Sequence, residues 1–318
     1  MNADFSENTY YGYLVKGNLL EAIDYVKQFP EQAKRYHRFQ EVFEKEQYRT
    51  YKADAWVHGV LLIYQKYYRD VFYLCIGKET AANKLQARLV DFLGMDDAGL
   101  GLCDLEQNQL TEAFQRKGFH FLGGRTSGYY GPYIWQTTET RVYEVELPEG
   151  TQPYMVRLLD GFLAKSWIDY ISFGEIGSGG WTDKEGVINC VKSSYDFHSE
   201  AFTVSLLKHE AQHARDLAIC KEMPSEELEY RAKLVELIYS TERNLLAQFA
   251  READPSDREN GHAAAACRIL DGFARKLHLS PQELEKLPRE KVQAVADTLF
   301  TESCAFSQDM AAAPESQE

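Results

Sequence analysis

Two histidines and a glutamate in the second half of the chain have the types and spacing that bind a metal ion and use it for hydrolysis. Residues 209–213 read His209-Glu210-Ala211-Gln212-His213, the HExxH motif. Because helical residues i and i+4 project from the same face, both imidazoles can bind one zinc ion. Glu210 lies beside them, where it can hold a zinc-bound water and take its proton as hydroxide attacks a carbonyl. Zinc makes this deprotonation of water possible near neutral pH, since it lowers the pKa of the bound water toward about 7.

The residues around this motif predict a helix that is buried on most sides. Its apolar positions form two stripes at helical spacing: Phe202, Leu206, His209, His213, Leu217 and Cys220, and Val204, Leu207, Ala211, Ala214 and Ala218. Two histidines and a glutamate buried together need partners, because uncompensated burial costs several kcal/mol. A metal ion would be such a partner; the alternative is a core helix whose histidines bond to backbone. Asp216, one turn after His213, either orients that imidazole or is a solvated helix residue.

A third protein ligand is expected downstream, because catalytic zinc sites keep three protein ligands and one open position. The next helix is predicted to begin near Ser225, an N-cap candidate after Pro224. We predict Glu229 as the ligand, since the small Ala232 beside it would let the two helices approach closely, and Glu236 as the alternate. The other interpretation is a solvated stripe with Glu–Lys pairs at i,i+4. The narrow polar stripe in question is Glu229, Lys233, Glu236, Ser240 and Arg243.

The motif and the downstream glutamate together resemble the zincin metallopeptidases, in the branch with a glutamate ligand that includes thermolysin. The resemblance covers residues 119–245 and leaves the N-terminal helices unexplained. It implies a sheet edge upstream that binds extended substrate antiparallel, and residues 186–191 are placed to be that edge. By this resemblance the zinc ligands are His209, His213 and Glu229, and the catalytic residue is Glu210.

The chain departs from that family at two places. The family has an aspartate four residues after the ligand glutamate; here that residue is Lys233, or Ser240 if Glu236 is the ligand. The extension that supplies a third histidine in metzincins is absent, since Ile219 stands where that histidine would be. These departures leave assignment to a narrower family open.

Further groups are candidates for completing the site. An oxyanion stabiliser, usually Tyr or His, is expected, and core packing is the favoured role for Tyr239. Residues 174–180 are glycine-rich but lack the lysine and spacing of nucleotide loops, so they predict a flexible loop beside the cleft. Residues 123–132 predict a hairpin or a mobile lid. The oxyanion candidates are Tyr195, His198, Tyr230, Tyr239 and His262.

The predicted elements run from helices to a small mixed or antiparallel sheet and back to helices, an α+β arrangement. We expect a helical N-terminal region at residues 1–117, a zincin-like metallopeptidase domain at 118–306 and a flexible tail at 307–318. Helices are predicted at residues 18–28, 31–47, 53–76, 79–93, 105–117 and 162–171, and from 199 to about 306. Strands are predicted at residues 119–125, 133–147, 154–159 and 186–191.

The composition excludes several classes of protein. The net charge of −14 disfavours nucleic acid as a partner, because such a chain repels phosphate. No uncharged apolar stretch approaches the ~20 residues that span a bilayer, and the N-terminus does not read as a secretory signal. The six cysteines lack CxxC spacing, which is typical of free thiols in a reducing compartment. We therefore expect a soluble, cytoplasmic protein without nucleic-acid or membrane partners.

The favoured function is a zinc-dependent metallopeptidase acting on peptide or protein substrates. One alternative is a metal hydrolase acting on another amide or an ester. Another is a metal-containing interaction module without catalysis, whose N-terminal helices bind a protein partner. Glu210 favours an enzyme, because a structural site gains nothing from an acid there and usually closes with a fourth protein ligand.

Overall fold

The computed structural model has the α+β architecture that the sequence predicts. It divides into two compact units, each with its own hydrophobic core, whereas the sequence placed one boundary near residue 117. The first unit is Met1–Thr137 with Asp160–Ser178, and the second is Thr138–Leu159 with Gly179–Glu318. The structure describes residues 4–95, 99–257, 260–284 and 286–312. Over these ranges, no helix combines the length and the apolarity needed to cross a bilayer.

The first unit packs helices and short strands around a core rich in tyrosine, phenylalanine and tryptophan. Its helices are α1 (Glu7–Val15), α2 (Leu19–Lys27), α3 (Ala33–Phe39, continued by a π-helix Gln40–Glu44), α4 (Ala55–Tyr68, continued by a π-helix Arg69–Tyr73), α5 (Lys78–Leu93), α6 (Leu102–Asp104), α7 (Thr111–Arg116, after a π-helix Leu105–Leu110) and α8 (Ser166–Ile171). Its strands are β1 (His120–Leu122), β2 (Arg125–Thr126), β3 (Tyr129–Tyr130), β4 (Tyr133–Trp135) and β7 (Ala164–Lys165).

Two predicted strands are broken in this unit. Gly123 and Gly124 separate β1 from β2, so the strand predicted at residues 119–125 is two short strands. The strand predicted at 133–147 breaks at Gln136, whose backbone N–H donates to the carbonyl of Asp160. The β2 and β3 strands pair antiparallel, which is the hairpin predicted within residues 123–132.

One carboxyl group is buried in the first unit. Glu106 is 1% exposed and accepts hydrogen bonds from the Tyr64 hydroxyl at 2.6 Å and from the Gly124 N–H at 2.8 Å. A Cβ at Gly123 would lie 2.6 Å from the Glu106 Cβ, so this close approach requires glycine. Burial raises the pKa of Glu106 to about 7, although the bonds from Tyr64 and Gly124 and the charge of Arg125 oppose the rise. The carboxyl group is therefore most stable in the fold when it holds its proton.

We expect the effect of Glu106→Gln on stability to depend on pH. The free energy of unfolding of the variant minus that of wild type should be more favourable to the variant at about pH 8 than at about pH 5, by roughly 1–3 kcal/mol. The folded carboxyl keeps its proton up to about pH 7, whereas its ordinary pKa is 4.5. Its stabilising contribution is therefore complete below pH 4.5 and is lost as the pH rises through 7. Urea unfolding at both pH values measures the difference.

Glu112→Gln is the matched control, because the Glu112 side chain is 69% exposed. Its stability difference from wild type should not change with pH. If the stability difference between Glu106→Gln and wild type is also independent of pH, the raised pKa does not belong to Glu106.

The second unit packs helices against a four-stranded mixed sheet. Its strands are β5 (Thr137–Leu147), β6 (Gly150–Asp160), β8 (Gly180–Thr182) and β9 (Ile188–Val191), in the order β5-β6-β9-β8. Its helices are α9 (Glu200–Thr203), α10 (Leu207–Ile219), α11 (Ser225–Tyr239), α12 (Leu245–Glu252), α13 (Gly261–Leu277), α14 (Pro281–Leu284) and α15 (Arg289–Ala312). β9 is parallel to β6 and antiparallel to β8. The predicted tail begins inside α15, and its residues 313–318 lie outside the described residues.

Helices α10 and α11 form the centre of this unit. α10 packs against β8 and β9 and against α11, and α11 packs also against α13 and α15. α11 starts at Ser225, with Pro224 in the N-cap position that the sequence assigned to Ser225. Lys233, Glu236 and Ser240 are buried, so this part of the polar stripe faces protein and the solvated-stripe interpretation is wrong.

Candidate metal centre

Helix α10 presents His209 and His213 on one buried face. Their spacing of one helical turn brings the ring centroids to 4.6 Å, with the ring planes nearly perpendicular at 89°. Both residues are less than 10% exposed, His209 at 7% and His213 at 9%. The two imidazoles are therefore neighbours in a site screened from bulk water.

Glu229 on α11 completes a triangle with these two histidines. One carboxylate oxygen, Oε1, lies 3.5 Å from Nε2 of His213, and the other, Oε2, lies 3.5 Å from Nε2 of His209. The ligand atoms of all three residues lie within 4.8 Å of one another. The three residues predicted as ligands thus converge, and we call them the His–Glu cluster.

The spacing of these atoms is close to the spacing of ligands around a tetrahedral metal ion. With zinc bonds of about 2.0–2.1 Å at tetrahedral angles, two ligand atoms are about 3.4 Å apart. Each histidine lies close to that distance, at 3.5 Å, from one oxygen of Glu229: His213 from Oε1 and His209 from Oε2. His213 Nδ1 is buried and has no hydrogen-bond partner in the described part of the chain, so its ring depends on its Nε2 side for polar contact.

The charges around the cluster also call for a cation. Burial alone would raise the pKa of Glu229, but the contacts with His209, His213 and His262 hold it far below its usual range. Glu210 and Glu236 are buried as well. When the imidazoles are neutral, as metal ligands must be, the three carboxylates leave an excess of buried negative charge, which a divalent cation would compensate.

Glu236, the alternate ligand, occupies a different place. Its Oε1 lies 2.8 Å from Nδ1 of His209, on the side of the ring away from Glu229. This contact favours the tautomer with a proton on Nδ1, which leaves the Nε2 lone pair directed toward the cluster. Burial lowers the pKa of His209, but the contacts with Glu229 and Glu236 overcome this and raise it to about 10, so a metal ion would bind Nε2 by displacing its proton. Glu236 is therefore placed to orient the His209 ring and lies outside the group of three candidate ligands.

We expect Glu229→Ala and Glu236→Ala to differ in their effect on zinc affinity. Removal of Glu236 should weaken binding by roughly 10–100-fold, the usual cost of losing a group that orients a histidine ligand. Removal of Glu229 deletes a ligand and should cost more. Competition with a chromogenic chelator measures both affinities, with Glu226→Ala, on the exposed first turn of α11, as the control. If Glu236→Ala loses more zinc affinity than Glu229→Ala, Glu236 is the ligand and Glu229 is the orienting residue.

Glu210 is held by a residue from the sheet. The Thr182 hydroxyl lies 2.8 Å from the Glu210 Oε2 and 2.9 Å from its backbone carbonyl oxygen. These contacts fix the carboxylate beside the two histidines, on the same helix. Sequence reasoning missed Thr182, because its strand begins at the last residue of the glycine-rich segment that predicted a loop.

The outer strand of the sheet differs from the one that the resemblance implied. Residues 186–191 were expected at a sheet edge, but β9 lies between β6 and β8 and all four of its residues are buried. The strand at the end of the sheet is β8, antiparallel to β9 and in contact with α10. Gly180, the end of the predicted loop, is its first residue.

Asp216 does not orient His213, and it is not solvated. It is fully buried; its two oxygens share the Nε–H of Arg231, at 3.0 and 2.9 Å, and one of them accepts from Gln212 at 2.9 Å. Arg231 is also fully buried and donates to Ser303 at 2.7 Å. This buried ion pair joins α10 to α11 and α15, and so supports the spacing of the two helices that carry the cluster.

One of the five oxyanion candidates, His262, contacts the cluster, and a second, Tyr195, is affected electrostatically by Glu210 and Glu236. His262 Nδ1 is 2.9 Å from Glu229 Oε2. Burial, together with the charges of Cys190, Glu210 and Glu236, raises the pKa of Tyr195 to about 12, so its hydroxyl remains a donor at neutral pH. The other three are placed differently: Tyr230 packs on Arg268, Tyr239 packs on Lys208, and His198 is exposed.

Comparison of the chain with models of protein families, with curated proteins and with solved structures gives no match.

Proposed function

We propose that the chain is a zinc-dependent metallopeptidase that hydrolyses peptide amide bonds. The observation that carries this proposal is the convergence of His209, His213 and Glu229, with Glu210 fixed beside them by Thr182. A structural zinc site usually closes with a fourth protein ligand. The described residues offer a three-residue group with an additional carboxylate alongside, which favours chemistry over structure.

The arrangement supports placing the chain with the zincins that use a glutamate ligand, as the motif suggests. The family's aspartate is replaced here by Lys233, which pairs with Glu252 at 2.7 Å. Glu236, one helical turn beyond Lys233, makes the contact to a ligand histidine instead. The departure at Lys233 is therefore compatible with the proposed site, because another carboxylate on the same helix supplies the second-sphere contact.

The chemistry is divided between the bound ion and Glu210. Zinc held by the His–Glu cluster would acidify water and polarise the scissile carbonyl. Glu210 takes a proton from the attacking water and delivers it to the leaving nitrogen as the C–N bond breaks, giving a carboxylic acid and an amine. Thr182 keeps the Glu210 carboxylate in position through both transfers. The Tyr195 hydroxyl, whose pKa is raised by burial and also by the charges of Glu210 and Glu236, is the candidate donor for developing negative charge.

The test is cleavage of a mixed peptide library, with new termini identified by mass spectrometry. The zinc-loaded protein should create new termini, a chelator should suppress them, and added zinc should restore them. Cleavage that continues unchanged in the metal-free protein would contradict the proposal. Hydrolysis of esters or non-peptide amides, with every peptide left intact, would also contradict it and would favour the other metal hydrolase.

A further inference from the structure

A third helix contributes to the His–Glu cluster through His262. This histidine is the second residue of α13, and its Nδ1 lies 2.9 Å from Oε2 of Glu229. Its side chain is 53% exposed, in contrast to the 12% of Glu229. It therefore stands at the boundary between the cluster and solvent and contacts the one carboxylate among the predicted ligands.

The backbone around His262 is fixed by the fold. Asn260 caps α13 and accepts from the backbone N–H groups of His262 at 3.2 Å and Ala263 at 3.4 Å. Gly261 lies so close to Ser225 that a Cβ there would overlap its side chain. The start of α13 is thus held against the start of α11, the helix that carries Glu229. The contact between His262 and Glu229 follows from this packing.

The surroundings of His262 leave Glu229 as its nearest acidic partner. Glu252 is farther away, with Oε1 at 3.8 Å from the His262 Nδ1. The other oxygen of Glu252 is paired with Lys233 at 2.7 Å. Within the described residues, the short contact of His262 Nδ1 with a carboxylate is the one to Oε2 of Glu229.

We infer that His262 is a positioning residue that holds Glu229 as a ligand through one oxygen, an assignment that rests on the proposed metal centre. Oε2 is buried, lies 2.9 Å from the His262 Nδ1 and has no hydrogen-bond partner among the described residues. An Nδ1–H directed at it would occupy that oxygen and leave Oε1, the oxygen nearer His213, for a metal ion. A carboxylate that binds a metal through both oxygens raises the coordination number and fills the position that substrate or water needs. His262 thereby preserves the open position of a four-coordinate site.

The variants His262→Asn and His262→Leu separate this role from simple packing. The amide nitrogen of asparagine can take the place of Nδ1 and donate to Glu229, whereas leucine has a similar shape and no donor. The side chain is half exposed, so neither change should disturb the fold, which circular dichroism and thermal unfolding would verify. The metal-free proteins are then titrated with Co²⁺, whose visible absorption is stronger in four-coordinate than in five-coordinate sites.

Wild type and His262→Asn should give the strong absorption of a four-coordinate ion. His262→Leu should give a weaker spectrum and bind Co²⁺ roughly 10–100-fold less tightly. A His262→Leu protein with the wild-type spectrum would overturn the inference, as would an Asn variant that behaves like the Leu variant. If the wild type itself takes up no Co²⁺, the metal centre and the proposed function fail. That result differs from Co²⁺ binding with a spectrum that the His262 substitutions leave unchanged, which contradicts only the role of His262.

Discussion

Glu210→Gln is expected to retain zinc and the fold and to lose about 100-fold or more of any peptidase activity, the usual scale for removing a positioned acid–base group. Glutamine has nearly the same volume as glutamate but cannot accept a proton at neutral pH. Its carbonyl oxygen can still accept the Thr182 hydroxyl, which lies 2.8 Å from the present carboxylate. The variant therefore removes proton transfer and preserves the contact that positions the side chain.

The measurement compares wild type and Glu210→Gln on the same peptide library, after both have been shown to hold equal zinc. Glu222→Gln is the control, because it makes the same chemical change at an exposed position just after α10. This control should cleave as fast as wild type. Equal rates for wild type and Glu210→Gln would refute the mechanism and assign the activity to other residues or to a contaminant.

The double change of His209 and His213 to alanine should abolish zinc binding. The two imidazoles supply two of the three ligand atoms of the His–Glu cluster, and Glu229 alone leaves a single side chain. Since a ligand that binds only the folded state stabilises it by mass action, zinc at 100 times its dissociation constant should stabilise wild type by about 2.7 kcal/mol. The same zinc concentration should leave the stability of the double variant unchanged.

Chemical unfolding with and without zinc measures this difference, and equilibrium dialysis measures the bound metal. Alanine at His37 and His198 is the control, because both histidines are exposed and neither belongs to the cluster. That variant should bind and respond like wild type. Full zinc retention by the His209 and His213 variant would place the metal elsewhere in the protein.

The part of the site that the sequence predicted depends on local helical geometry. His209 and His213 share a face because they are four residues apart on one helix, and this holds wherever the helix packs. Glu229 could be proposed because the polar stripe of α11 is narrow and Ala232 lies beside it. The distinction between Glu229 and Glu236 was harder, since both lie on that stripe and only the rotation of α11 against α10 separates a ligand from its orienting partner.

The contacts that the sequence did not predict join segments far apart in the chain. Thr182 reaches Glu210 only because β8 lies at the end of the sheet beside α10. Asp216 has the sequence position of a group that orients His213, but in the fold it forms an ion pair with the buried Arg231. Such pairings depend on tertiary packing, which no local spacing encodes.

The order of strands in the sheet also could not be predicted from local sequence. Aromatic and β-branched residues correctly marked the middle of the chain as strand, yet the order of strands in the sheet decided which one lies at the edge. Residues 186–191 have the composition of a buried strand, and their position between β6 and β8 explains it. An assignment of the edge needed the pairing partners, and these are set by the fold as a whole.

The metal centre is tested by the metal content of the wild-type protein, purified without added metal and analysed by inductively coupled plasma mass spectrometry. A chain that presents His209, His213 and Glu229 within 4.8 Å of one another should carry about one zinc per molecule. Metal lost during purification should return in the same ratio when zinc is titrated back. A folded protein that contains no zinc, and takes up none from an excess, would contradict the central claim.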